Sequence, residues 1–242
     1  MVKDIRSGAG LGSNPVFLTA VGNTLYFQAV DGTNGNELWK SDGTVSGTAM
    51  VKDINSGSSS SYPYSLTAVG NTLYFRANDG TNGSELWKSD GTTSGTVMVK
   101  DINSGSSGSY PRYITAVGNT LYFEAYDGTN GYELWKSDGT ASGTVMVKDI
   151  YSGSSSSSLS NPTAIGNTLY FQANDGTNGY ELWKSDGTTS GTLMVKDINS
   201  GSSDSYPGYK TAVGNTLYFE ADDGINGNEL WKSETVTEVT YS

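Results

Sequence analysis

An all-β repeat fold is predicted by three features of this sequence. The first is a fixed period. Tryptophan recurs at Trp39, Trp87, Trp135, Trp183 and Trp231, each 48 residues from the next, within N-T-L-Y-F, D-G-T-N-G, E-L-W-K-S, D-G-T-x-S-G-T and M-V-K-D-I runs. A unit of that length is one supersecondary motif, and it buries a core only by stacking on copies of itself. The second is composition: glycine is 32 of 242 residues, aromatics are 11%, and helix formers are scarce, which suits short strands joined by tight turns. The third is alternation of apolar and polar side chains inside each copy.

The second copy shows the elements in order. Leu66-Thr67-Ala68-Val69 is a short apolar strand, and Gly70-Asn71 turns the chain. Thr72 to Ala77 alternates, with Leu73, Phe75 and Ala77 on one face and Thr72, Tyr74 and Arg76 on the other. Asp79-Gly80-Thr81-Asn82-Gly83 is a loop of residues that tolerate positive φ. Glu85 to Ser89 is a third strand, Asp90 to Thr96 a longer hairpin loop, and Val97 to Ile102 a fourth strand. A Ser/Gly linker with Tyr110-Pro111 leads to the next copy.

Each unit is therefore an up-and-down, four-stranded antiparallel sheet. Such sheets packed face to face in a ring make a β-propeller. Both faces of a blade then need large side chains, and the reading places Leu73 and Phe75 on one side, Tyr74 and Trp87 on the other. Burying each such ring contributes roughly 1.5–3 kcal/mol. A β-solenoid is the competitor, but its coils are usually shorter and do not need three tight hairpins per repeat.

The ends extend this reading. Met1 to Ile5 is a lone fourth strand, and the last copy stops after the third strand, Glu229 to Ser233. Together they complete one blade. The expectation is a single five-bladed propeller domain over residues 1–242, closed by the N-terminal strand. Residues 234–242 depart from the pattern as an alternating strand or tail.

The unit resembles the ELWxxDGT repeat of large bacterial proteins. Its hallmark stands here as Glu37-Leu38-Trp39-Lys40-Ser41-Asp42-Gly43-Thr44 and again at 85–92, 133–140 and 181–188. The fifth copy departs, because Ser233 is followed by Glu234-Thr235. The resemblance covers almost the whole chain. It implies a propeller and an extracellular or cell-surface setting, and it implies no activity. Met1 to Ile5 is already repeat sequence, so an exported product would need a leader ahead of it. The near identity of the copies points to recent amplification or to a designed ring.

Composition excludes several function classes. There is no cysteine and no histidine, which removes disulfides, thiolate or imidazole metal sites and the Ser-His-Asp triad. A formal net charge of −11 argues against binding a phosphate backbone. No 18-residue apolar run is present, so no membrane insertion is expected. The Asp of D-G-T (Asp42, Asp90, Asp138 and Asp186) resembles the Asp-containing turns of some sialidase propellers, where it is structural. Glycosidase chemistry needs one opposed carboxylate pair, and five equivalent copies offer no unique pair. No catalytic residue is assigned, and a hydrolase is the weakest of the readings.

The copies differ mainly at one end of the blade, formed by the second-to-third-strand loop and the linker. Gln28, Arg76, Glu124, Gln172 and Glu220 share one position. Val30, Asn78, Tyr126, Asn174 and Asp222 share the next, and Asn36, Ser84, Tyr132, Tyr180 and Asn228 a third. Tyr64, Arg112, Tyr113 and Tyr209 mark the linkers. Tyr64, Arg76, Arg112, Tyr113, Tyr126, Tyr132, Tyr180 and Tyr209 are thus the candidate ligand-binding residues, since such side chains stack on sugar rings and bond hydroxyls. Drift of exposed loops is the alternative.

The same end carries repeated acids and amides: Asp31, Asn34 and Glu37; Asp79, Asn82 and Glu85; Asp127, Asn130 and Glu133; Asp175, Asn178 and Glu181. These are hard oxygen ligands of the kind calcium takes. Equally, Asp and Asn cap tight turns by bonding their own backbone. No cofactor is required, and calcium is the one candidate ion. The expected function is a non-catalytic, multivalent binding or display module, a monomer with glycans or cell-surface proteins as partners. The alternative is a purely structural or engineered scaffold with no ligand.

Overall fold

The computed structural model describes residues 1–8 and 10–234. Most of the atypical segment read at 234–242 therefore lies outside the described residues. All described regular structure is β-strand. The strands are β1 (Val16–Val21), β2 (Thr24–Ala29), β3 (Glu37–Ser41), β4 (Ala49–Lys52), β5 (Tyr64–Val69), β6 (Thr72–Asn78), β7 (Ser84–Ser89), β8 (Val97–Lys100), β9 (Arg112–Val117) and β10 (Thr120–Tyr126). They continue as β11 (Tyr132–Ser137), β12 (Val145–Lys148), β13 (Ser160–Ile165), β14 (Thr168–Asn174), β15 (Tyr180–Ser185), β16 (Leu193–Lys196), β17 (Gly208–Val213), β18 (Thr216–Asp222) and β19 (Asn228–Glu234). They form five sheets in chain order: β1–β4, β5–β8, β9–β12, β13–β16 and the three-stranded β17–β19. This is the all-β, propeller-type repeat architecture expected of the 48-residue period.

Contacts divide the described residues into two compact units, one within 1–129 with 135–145 and the other 130–134 with 146–234. In the first, Tyr26, Leu38, Val51 and Ile54 of one repeat pack on Leu73, Phe75, Ala77 and Trp87 of the next. In the second, Ile165, Tyr170, Leu182 and Ile198 pack on Leu217, Phe219 and Ala221 in the same way. Phe75, Leu73 and Leu86 are fully buried.

The ladder corrects one expectation. Phe75 stands directly opposite Trp87, and Tyr74 opposite Lys88. Directly opposed residues of an antiparallel pair point to one face. Trp87 therefore shares the face of Phe75, and Tyr74 lies on the other face with Leu86.

Lysines latch one repeat to the next. In the first unit Lys40 Nζ donates to the Gly91 carbonyl at 2.8 Å, and Lys52 Nζ to the Thr96 carbonyl at 2.9 Å. The Lys52 ammonium also stands 5.7 Å from the centre of the Trp87 ring, within cation–π range. In the second unit Lys148 repeats both contacts, to Thr192 at 2.8 Å and to Trp183 at 5.6 Å.

Several strand limits differ from expectation: the second strand of the second repeat runs on to Asn78, its third begins at Ser84, and the last strand spans Asn228–Glu234. The fourth strand of the second repeat ends at Lys100 rather than Ile102, because the Ile102 N–H leaves the ladder to bond the Glu85 carboxylate at 3.1 Å. The first strand begins earlier, at Tyr64. Met1 to Ile5 is not a strand, since a strand exists only through a ladder and this segment carries side-chain contacts instead. Lys3 Nζ bonds the Thr48 carbonyl at 2.7 Å, as Lys52 does one repeat later, and Ile5 packs on Phe27, Ala29 and Trp39.

The early start of the first strand includes a bulge. Tyr64 pairs with Arg76 and Thr67 with Tyr74, so three steps on β5 span two on β6. The extra residue takes positive φ in every repeat: Phe17 (+58°), Ser65 (+55°), Tyr113 (+56°), Asn161 (+50°) and Tyr209 (+41°). Non-glycine residues rarely hold that conformation, and a bulge re-aims its side chain.

Candidate ligand-binding end

The repeated glutamates are, with the linker serines Ser109, Ser157 and Ser205, the most buried polar groups at the variable end. Glu37, Glu85, Glu133 and Glu181 are fully buried. Glu85 accepts bonds from the Ile102 N–H (3.1 Å), the Ser109 N–H (2.8 Å) and the Ser109 hydroxyl (2.5 Å). Glu37 binds Ile54 and Ser61 in the same pattern. The serine then reaches forward: the Ser61 carbonyl accepts from Asn78 N–H at 2.9 Å, and Ser109 from Tyr126 N–H at 2.9 Å. In the second unit Glu133 holds Ser157, whose carbonyl takes Asn174 N–H at 2.9 Å. The Ser/Gly linker is thus pinned between consecutive repeats. A single polar position 24 residues away from its partner gives no local sequence signal, and the sequence reading missed it.

The aspartates of the D-G-T-N-G loop do different work. Asp31 Oδ1 accepts the Thr33 and Asn34 N–H groups at 2.8 Å each, and Oδ2 accepts Asn34 Nδ2 at 2.9 Å. Asp79 with Asn82 and Asp175 with Asn178 repeat this turn. In the third repeat Asp127 accepts Thr129 N–H at 2.8 Å. The structure therefore gives the loop Asp and the strand Glu separate sets of partners. Among the described residues no group of three or more His, Cys, Asp or Glu side chains is placed to hold a metal ion.

These environments shift the carboxyls in opposite directions. Burial raises Glu85 from 4.5 to about 7, against the bonds from Ser109 and Ile102 that pull it down. Glu133 is likewise raised to about 7, chiefly by burial, and burial also raises Glu37 and Glu181. For Asp31, Asp79 and Asp175 burial pushes upward, but the combined turn bonds prevail and hold them below the usual value. A raised carboxyl means the folded chain keeps protons that the unfolded chain releases, so stability falls as pH rises from about 4.5 through 7. The lowered aspartates lose their contribution below about pH 4. Thermal melts should give a higher Tm at pH 5 than at pH 8, with a smaller difference in Glu85→Gln. A Tm that climbs between those pH values would contradict this assignment.

The variable positions meet across the ladder. Tyr64 opposes Arg76, Arg112 opposes Glu124, Ser160 opposes Gln172 and Gly208 opposes Glu220. Asn78 opposes Ser84, and Asn174 opposes Tyr180. In the first unit Tyr64, Arg76, Arg112 and Tyr113 line one cavity of about 510 Å³, with Ser65, Leu66, Thr67 and Ile114. The Arg76 guanidinium lies 4.7 Å from the centre of the Tyr64 ring, and Phe17 meets that ring edge-on at 4.8 Å. Arg112 Nε stands 2.6 Å from the buried Glu124 carboxylate. That N–H is not aligned for a hydrogen bond, so the contact is ionic.

The other candidates are placed elsewhere. Tyr126 ends β10 and joins the linker through its backbone. Tyr132 N–H donates to the Ser156 hydroxyl at 2.9 Å. Tyr180 stacks on Tyr206 at 5.8 Å. Tyr209, 87% exposed, lines a second cavity of about 510 Å³ with Asn161, Pro162 and Lys210. Burial pushes Lys210 down to about 8. The sequence reading did not select Phe17, although it occupies the bulge position of Tyr113 and Tyr209 in its own repeat.

No protein-family model matches the chain, and no curated protein matches it. Solved structures do match in fold. A puromycin hydrolase superposes with a TM-score of 0.59 at 11% identity, over 92% of this chain and 36% of that one. Prolyl oligopeptidase B from Galerina marginata, bound to a 35mer hydrolysis and macrocyclization substrate, gives 0.56 at 12% identity, over 93% and 35%. A puromycin-hydrolyzing peptidase of Mycobacterium tuberculosis gives 0.52 at 10% identity, over 92% and 36%. The chain spans about a third of the length of these proteins. At such identity the likeness extends to an all-β, propeller-type fold and no further.

Proposed function

We propose that this chain is a non-catalytic binding module of the ELWxxDGT repeat type, with its ligand at the variable end of the blades. The observation that supports this most is that positions differing between repeats oppose one another across the ladder, as Tyr64 and Arg76 do. The other end keeps the same hairpin, in which Ser41 and Thr48, Ser89 and Thr96, and Ser185 and Thr192 share hydroxyl bonds of 2.7–2.8 Å. Differences occur elsewhere too, as at Val45, Thr93, Ala141 and Thr189 in that hairpin, but they are concentrated at the variable end. Five blades closed into a ring by Met1 to Ile5 beside Glu229 to Ser233, and an extracellular or cell-surface setting, belong to the same proposal.

Glycans and cell-surface proteins are the ligand classes to test. A glycan array followed by titration calorimetry, with and without calcium, should detect binding that substitutions at Tyr64 or Tyr113 weaken. Absence of binding to every glycan and to cell-surface extracts would favour a scaffold without a ligand. Calcium has a separate readout: an ion that binds the native state raises Tm. Equal Tm in EDTA and in calcium would leave the Asp and Glu carboxylates as turn and linker bonds only.

A further inference from the structure

Among the variable positions, one cavity is lined by two arginines, whereas the second is lined by Lys210, which donates to the Pro207 carbonyl. The chain carries a formal charge of −11, with three arginines, Arg6, Arg76 and Arg112. Two of them line the cavity between β5 and β9, and no acidic side chain lines it. Glu124 offsets one charge through its ion pair with Arg112. The repeated lysines are engaged elsewhere: Lys40, Lys52, Lys88 and Lys100 each donate to a backbone carbonyl of the next repeat.

The equivalent positions are not cationic in the other copies. Where Arg76 stands, the others carry Gln28, Glu124, Gln172 and Glu220; where Arg112 stands, they carry Val16, Tyr64, Ser160 and Gly208. Fivefold display therefore cannot apply to this cavity. Its remaining lining combines Tyr64 and Tyr113, each about two-fifths exposed, with Leu66 and Ile114. Tyr113 is aimed by the bulge, at φ +56°.

Resting on the binding-module reading, we infer that this cavity is a single site for a sugar ring bearing a carboxylate, a uronic acid residue of a glycan. A guanidinium presents paired N–H donors that match a carboxylate. Tyrosine rings offer apolar faces to the C–H face of a sugar and a hydroxyl to its polar edge. A cavity of about 510 Å³ lies within the range of small-molecule sites and accommodates one or two sugar rings.

The test is calorimetric titration of the full chain with digalacturonate and with its neutral methyl ester. The acid should bind about tenfold or more tightly than the ester, one molecule per chain. Arg76→Gln should remove about tenfold in affinity with Tm unchanged, because Gln28 and Gln172 already occupy that position in two repeats. Arg6→Gln, outside the cavity, should leave binding unchanged. A sulfated disaccharide distinguishes carboxylate recognition from general anion binding, and an acidic tetrapeptide tests a protein ligand. Equal binding of acid and ester, tighter binding of the sulfate or the peptide, or insensitivity to Arg76→Gln would overturn the inference. If neutral glycans bind and Arg76→Gln has no effect, the module reading stands while this site falls. If nothing binds at all, the module reading fails first.

Discussion

Glu85→Ala should lower the stability of the chain by about 3–5 kcal/mol. The side chain is fully buried, and its removal leaves the Ile102 N–H, the Ser109 N–H and the Ser109 hydroxyl without an acceptor. Each buried donor left unsatisfied costs about 1–3 kcal/mol, and a small cavity adds to that. For a chain of this size the loss corresponds to a fall in Tm of roughly 10 °C. The sequence contains its own control. Glu229 occupies the same place in E-L-W-K-S but is exposed, so Glu229→Ala should change stability by no more than about 0.5 kcal/mol in an open last blade, and by as much as Glu85→Ala where Met1 to Ile5 closes it. A loss of no more than about 0.5 kcal/mol for Glu85→Ala in denaturant melts would show that the linker bonds contribute little.

Gly83→Ala should cost about 3 kcal/mol, from two separable causes. Gly83 adopts φ +69°, and a Cβ there would lie 2.5 Å from Gly108 N and 2.7 Å from Gly108 Cα. Those are backbone atoms of the linker, which cannot rotate aside. The left-handed backbone alone costs an L-residue about 1–2 kcal/mol, and forced overlap adds about 1–3 kcal/mol. Gly70→Ala separates the two, because Gly70 has φ +56° with nothing within 4 Å of the added Cβ. It should lose only the smaller amount. If Gly83→Ala melts with Gly70→Ala, the approach of linker to loop is looser than the structure describes.

What the sequence revealed, and what it hid, divides by distance along the chain. The alternation in Thr72 to Ala77 and the turn residues of Asp79 to Gly83 act within a few positions, so strand order and hairpins were legible. The face of Trp87 was not, because it depends on which residue of β6 stands opposite it. The role of Glu85 was also hidden: a carboxylate in an acidic loop region reads as a cation ligand until Ser109 is seen to approach it. Of the candidate ligand residues, Tyr64, Arg76, Arg112 and Tyr113 share a cavity only because a bulge sets the register of β5 on β6. Tyr132 and Tyr180 were selected by the same variability, yet each has its own linker partner.

The serine that each glutamate holds also carries the carbonyl that begins the following repeat. No boundary in the 48-residue period therefore separates self-sufficient pieces; every junction is completed by atoms from both sides. Excision or duplication of one full period, wherever the breakpoints fall, regenerates the same junction at the splice. Copy number is consequently the property of this architecture most free to vary by recombination, whereas insertions of any other length displace a serine from its glutamate.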